Sequence, residues 1–237
     1  AVTWPSAGNI GGGGFLVYHG DNGHATSFDF REKAPIAATE EMYLGVDGRV
    51  VNNSNHIGIL AIGVPGTVAG LFKAHQELGS LPWADLVAPA VALAREGIPI
   101  NYSLETGFAR SANRFRQYPS SAKKFFKTDG SFYELGEIWI QPDLANTLDL
   151  IQNNGKDGFY KGENARRLAD FMAANGGLIT EEDLASYEAI EREPIRGNYR
   201  GYEIISMPPP SSGGVALVEM LNILEGYDLA ALGHNSA

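Results

Sequence analysis

The chain is 237 residues long, 44% hydrophobic and 19% charged, a balance that suits one large globular domain or two small ones. Its 28 acidic and 18 basic residues leave a formal net charge of -10, which excludes a polyanion as a natural partner and argues against nucleic acid and anionic membrane. The absence of cysteine excludes disulfides, thiolate catalysis and cysteine-ligated metal.

In chain order, the first feature is Gly11 to Gly14 after Asn9 and Ile10. A glycine run exposes backbone N–H groups and lets another backbone or a ligand come close. It is not a phosphate loop, because no Gly-Lys-Ser/Thr follows and the next element reads as a strand. A packing role or an oxyanion site remains. Phe15 to His19 and Ala25 to Phe30 then read as two strands, with the turn residues Gly20 to Gly23 between them. Along the second strand Ala25, Ser27 and Asp29 alternate with Thr26, Phe28 and Phe30, so one face is largely polar. Where that strand ends, Arg31 stands between Asp29 and Glu32. A guanidinium there can hold a carboxylate by two parallel hydrogen bonds. An ion pair with Asp29 or Glu32 is the plainer alternative.

From Thr67 to Leu78 the period changes to helical, with Val68, Leu71, Phe72, His75 and Leu78 forming the apolar stripe. Ala84 to Glu96, Pro142 to Asn153 and Ala165 to Asn175 repeat the pattern, each with a glycine stop at Gly97, Gly155 or Gly176. Between these, Lys123 and Lys124 with Lys127 make the densest basic cluster, which reads as a solvated face. Thr180 precedes Glu181, Glu182 and Asp183 as a capped helix start. Pro194 to Tyr199 and Tyr202 to Met207 form a second hairpin around Arg200 and Gly201.

A last helix, Val215 to Leu224, follows Pro208 to Pro210, Ser211, Ser212, Gly213 and Gly214. Either serine is a candidate nucleophile, but the segment is not a Gly-x-Ser-x-Gly elbow, and a helix N-cap is the simpler role. The five histidines have no metal-ligand spacing. His19 and His24 flank the first turn, and His75 reads as a satisfied core residue. Strands at both ends with helices between them indicate a mixed α/β layer structure. Neither hairpin has an obvious further partner strand, so both are expected to join a sheet completed by other polypeptide.

The order of these segments carries more than any one of them. Asn9 to Phe15, Asp29 to Pro35, Gly63 to Gly70, Phe159 to Gly162, Asn175 to Thr180, Tyr199 to Tyr202 and Ser206 to Gly214 resemble successive motifs of the γ-glutamyltransferase family. The match runs over nearly the whole chain, and its last motif is specific.

The resemblance implies one domain over residues 1–237, the large-subunit portion of a four-layer αββα sandwich of the N-terminal-nucleophile hydrolase type. It implies a precursor that cuts itself into two subunits. The new N-terminal threonine of the small subunit attacks a γ-glutamyl amide such as glutathione, and its α-amine serves as base. The acyl group then passes to water or to an amino-acid or peptide acceptor. By motif, Arg31 matches the arginine that holds the donor's α-carboxylate. No catalytic residue, metal or cofactor is assigned within the chain.

The family's Thr-Thr-His motif is absent from the chain, which stops at Gly233 to Ala237, and the helical stretch that precedes the glycine run in the family is missing too. The expectation is a chain truncated at both ends, inactive alone, whose partner is the nucleophile-bearing small subunit. No apolar stretch approaches the roughly 20 residues that span a bilayer. No signal peptide is visible either, so a periplasmic or extracellular location is implied by resemblance alone. The alternatives are an acylase acting on a glutaryl or similar side chain, and a non-catalytic binding fragment.

Overall fold

The computed structural model describes residues 1–235, so Ser236 and Ala237 lie outside the described residues. Strands β1 (Phe15–His19) and β2 (Ala25–Asp29) pair antiparallel from Phe15↔Asp29 to His19↔Ala25. In the turn between them Gly20 donates to His24 O, and the Tyr18 and His24 rings approach with centroids 6.4 Å apart. His19 pairs with Ala25, so the two histidines do not face each other.

The helical layer follows: α1 (Thr67–Leu78), α2 (Trp83–Glu96), β3 (Ile98–Pro99), α3 (Tyr102–Arg116) and α4 (Pro119–Phe125). After these come β4 (Ile138–Trp139), α5 (Pro142–Asn154), α6 (Asp157–Tyr160), α7 (Gly162–Ala174) and α8 (Glu181–Ala185). The short strand β5 (Ile190–Arg192) returns to the first sheet and gives it the order β1-β2-β5. The chain closes with the hairpin β6 (Ile195–Tyr199) and β7 (Tyr202–Ser206), then α9 (Gly213–Glu225) and α10 (Leu229–Leu232). The hairpin turns through Arg200 and Gly201, both at positive φ.

The polar face expected on β2 is buried, with Ser27 and Asp29 in the interior, and Thr26 on the opposite face is buried as well. β5 supplies the partners that make this tolerable. Thr26 donates its hydroxyl to Glu191 at 2.6 Å, Ser27 donates to the Arg192 carbonyl at 2.8 Å, and Asp29 pairs with the Arg192 guanidinium.

Helix α1 begins and ends where the sequence places it, yet its inward face differs. Leu71 is 46% exposed, while Thr67, Val68, Ala69, Gly70 and Ala74 are buried. The ring of Phe30 lies against Gly70, so small residues share the inward face with Val68 and Leu78, and of the expected stripe Leu71 is the residue turned outward. His75 is only half-buried; its Nε2 lies 2.7 Å from the Leu81 carbonyl and its ring meets Trp83 edge-on.

The main core gathers Val68, Val91, Ile100, Leu148, Phe159, Leu184 and Tyr187, and a smaller cluster of Phe28, Phe30 and Ala74 joins it through Ala189, which packs on both. Trp83 and Trp139 satisfy their ring N–H groups on the carbonyls of Ile151 and Lys124. The basic cluster is largely neutralised, since Lys124 pairs with Asp143 and Lys127 with Glu137.

At the other end of the molecule α9 packs on β6, where Val218 fits over Gly197. On the same helix Val215, Leu217, Met220, Ile223 and Leu224 are exposed. Among the described residues no helix is long and apolar enough to cross a membrane.

Candidate active-site cleft

Three of the sequence motifs meet in space. The glycine segment runs beside the end of β2, where Gly14 and Phe30 exchange backbone hydrogen bonds of 3.2 and 3.0 Å. Two residues earlier, Gly12 O accepts from Gly66 N at 2.8 Å and Thr67 N at 3.0 Å, so the start of α1 donates to the glycine segment. Lys33 and Val64 form a two-way backbone bridge of 2.7 and 3.2 Å, which ties the Arg31 segment to the segment before α1.

Glycine is needed at Gly13 and Gly66 for closeness. A Cβ at Gly13 would strike Phe30 O and Glu32 N, and one at Gly66 would strike Phe30 O and the Tyr187 hydroxyl. Within the glycine run Gly13 therefore packs on backbone, one of the two roles left open for that run.

Arg31 stands at the mouth of a cleft of about 690 Å³, lined by Gly11, Glu32, Met42, Tyr43 and Ile62 among others. Its side chain is 59% exposed, its Nε lies 3.4 Å from Glu32 Oε2, and its guanidinium sits 5.6 Å from the centre of the Phe15 ring. The Glu32 pair foreseen as an alternative therefore exists, but at such exposure it contributes little and leaves the guanidinium fork open to a second anion. Asp29 is not its partner. That carboxylate goes to Arg192 instead, at 2.9 Å from both Nε and Nη2.

The rim beyond Arg31 is held by a residue the sequence assigns only to a helix start. Asp183 Oδ1 accepts from Ile36 N at 2.6 Å, and Oδ2 accepts from the Thr180 N–H at 2.8 Å and its hydroxyl at 2.7 Å. Thr180 Oγ1 in turn accepts from Asp183 N at 3.2 Å and completes a capping box. Burial pushes the Asp183 carboxyl up, but these hydrogen bonds outweigh it and hold the group below its ordinary value.

A depressed folded pKa means stability that is present above the unfolded carboxylate value and lost as pH falls through the folded one. Asp183→Ala is expected to reduce stability by about 1–2 kcal/mol at neutral pH. The gap to the parent should begin to narrow as pH falls below about 4. Urea melts at pH 7 and pH 3 check this, and a gap that stays constant would contradict it.

Ser211 and Ser212 do not line this cleft. Ser212 occupies the N-cap position of α9 with helical angles of φ −75° and ψ −19°, and its side chain makes no cap bond. Ser211 Oγ accepts from Gly213 N at 3.3 Å. The capping role expected of this pair is thus met only by Ser211, and weakly, because Ser212 already lies in helical backbone and cannot reach back as an extended N-cap does.

Tyr187 and Arg192 are absent from the sequence-derived candidates. Tyr187 donates its hydroxyl to Arg31 O at 2.7 Å. Neither residue belongs to a strand or helix long enough to announce itself by period, and both reach Arg31 or Asp29 across more than 150 residues of chain.

With the geometry in place, the comparisons with known proteins are informative. The chain matches the family model for gamma-glutamyltranspeptidase over residues 1–237. It is 45% identical over 237 residues to a glutathione hydrolase proenzyme of Pseudomonas sp. strain A14, an alignment that takes in 100% of this chain and 41% of that protein. An acylase ACY 1 proenzyme of Pseudomonas sp. strain SE83 is 40% identical over 241 residues, 99% of this chain and 43% of its own length.

The crystal structure of Helicobacter pylori gamma-glutamyltranspeptidase aligns with a TM-score of 0.98 at 47% identity, covering 100% of this chain and 68% of that one. The mixed α/β architecture expected from the sequence is the one shared with that structure. The chain therefore spans about two-fifths of the length of the curated relatives, at 41% for the first of them.

Proposed function

Because the chain belongs to the γ-glutamyltranspeptidase family, we propose that it is the donor-binding, large-subunit part of a glutathione hydrolase and γ-glutamyltransferase. In this reading residues 1–237 belong to one domain, and Arg31 holds the α-carboxylate of glutathione or a related γ-glutamyl donor. The observation that carries it is the exposed guanidinium lining the cleft, which among the described residues meets the Glu32 carboxylate and the Phe15 ring. A fork in that state can receive a carboxylate by two hydrogen bonds, which fixes where the rest of the donor lies.

The nucleophile, a threonine freed by self-cleavage, is proposed to come from a small subunit outside these residues. It passes the acyl group to water or to an amino-acid or peptide acceptor. The exposed apolar side chains of α9 and the two-stranded β6–β7 sheet suit a surface that a further subunit covers. Export to the periplasm or the cell exterior is proposed on the family resemblance.

A second reading has its own support in the acylase relative. A glutaryl group and a γ-glutamyl group have the same chain length and the same terminal carboxylate, and differ in the α-amine. Arg31 serves either donor.

The deciding experiment offers γ-glutamyl and glutaryl anilides to the chain alone and to the chain assembled with the nucleophile-bearing subunit. Release of the γ-glutamyl group only by the assembly is the expected result. Preference for the glutaryl anilide would install the acylase reading. Turnover by the chain alone would overturn the subunit assignment and send the search for a nucleophile to Ser211 and Ser212.

A further inference from the structure

Arg31 lies one step past the regular sheet, and its own peptide groups need partners. The β2–β5 ladder stops at Asp29↔Ile190, and the last backbone exchange with the glycine segment is at Phe30. The Arg31 N–H and C=O therefore have no strand to pair with, and side chains take that place. Asp29 Oδ1 accepts from Arg31 N at 3.1 Å, and the Tyr187 hydroxyl donates to Arg31 O at 2.7 Å.

Both partners are themselves fixed. Asp29 is 7% exposed, and its other oxygen accepts from Arg192 Nε and Nη2, each at 2.9 Å. Tyr187 is 2% exposed and stacks on Tyr160 with ring centroids 5.7 Å apart and planes 10° from parallel. Tyr160 is anchored through its hydroxyl to Pro65 O at 2.8 Å. Burial, with Asp29 and Glu32 nearby, pushes the Tyr187 phenol up, which keeps its proton available to donate.

The side chain of Arg31, in contrast, has only the loose Glu32 contact and the Phe15 ring. A guanidinium on four rotatable bonds inherits its aim from the backbone it leaves. We propose that Tyr187, together with Asp29 and Arg192, is a positioning residue that fixes the Arg31 peptide so that the guanidinium meets the donor carboxylate. This rests on the reading of Arg31 given above. Tyr187 touches no substrate; it acts through Arg31 alone.

Tyr187→Phe keeps the ring, the stack and the burial, and removes only the donor to Arg31 O. Two anilides serve as probes in the complete enzyme: the γ-glutamyl compound and its 4-aminobutanoyl analogue, which lacks the carboxylate. Displacing a binding group by a fraction of an ångström is expected to raise KM for the γ-glutamyl anilide about tenfold, with kcat held within about threefold. The preference for the γ-glutamyl anilide over the analogue should fall by the same factor, because the analogue never used Arg31. Asp29→Asn, which keeps an acceptor of the same size but weakens the Arg192 pair, is expected to move the preference in the same direction.

A merely structural tyrosine would lower the melting temperature and leave the preference intact, and that result in the folded variants overturns the proposal. Arg31→Ala separates the two layers of argument. If it abolishes the preference while Tyr187→Phe leaves it untouched, only the positioning role is lost. If Arg31→Ala also leaves it untouched, the reading of Arg31 falls and the positioning role with it.

Discussion

Arg31→Ala in the complete enzyme should lower kcat/KM for a γ-glutamyl anilide by about 100-fold or more, chiefly through KM. A hydrogen bond to a charged group contributes about 1.5–3 kcal/mol, and a bidentate guanidinium–carboxylate pair makes two of them. Taken at the low end, because the side chain is 59% exposed, the pair is worth about 3 kcal/mol, and each 1.4 kcal/mol is tenfold. The carboxylate is remote from the bond that breaks, so its contact is equally strong before and during reaction, and the loss appears in binding. Arg31→Lys keeps the charge and loses the fork, and should recover only part of the deficit. Steady-state kinetics decide the matter. A loss confined to kcat would place Arg31 at the reacting bond and contradict the carboxylate role.

The second large effect is on folding. Gly66 has φ −115° and ψ −17°, angles that any residue adopts, so backbone strain is not the reason for glycine there. The reason is space: a methyl group would overlap Phe30 O and the Tyr187 hydroxyl, neither of which is free to retreat. Gly66→Ala is therefore expected to destabilise by about 3 kcal/mol, at the upper end for an overpacked site. Because the displaced atoms are those that flank and hold Arg31, activity should fall with stability. Gly107 in α3 is the control, since a Cβ there meets nothing within 4 Å. Gly107→Ala should raise stability by about 0.5–1 kcal/mol through helix propensity alone. Thermal melts of the two variants should shift in opposite directions, and a shared sign would refute the crowding argument.

What could be read from the sequence follows from the range over which each signal acts. Helix α1 is bounded by glycines, and the strand ending before Arg31 follows a four-residue turn, so both stand out locally. The full inward face of α1 does not, because Leu71 turns out and a Phe30 ring presses on Gly70 instead. The sequence reading passes over α3, whose buried stripe of Leu104, Phe108 and Ala112 is narrow and interrupted by charge. It passes over β5 as well, which at three residues is too short to show a period. Missing β5 hides the reason that Asp29 does not pair with the Arg31 guanidinium, since Arg192 lies 163 positions away. The position of Arg31 at a strand end is thus a local inference, whereas the bonds that aim it are tertiary and leave no spacing to find.

Asp183 and Tyr187 stand four positions apart at α8 and its exit, one gripping Ile36 and the other gripping Arg31. The stretch between Ile36 and the bridge at Val64, including residues 38–57, carries neither grip. Drift there can reshape the cleft wall without disturbing the bonds that hold the Arg31 backbone. If Arg31 holds a carboxylate as proposed, a lineage built this way can alter the cleft wall while inheriting that contact unchanged, and a designer seeking altered donor scope should diversify the loop and spare the turn.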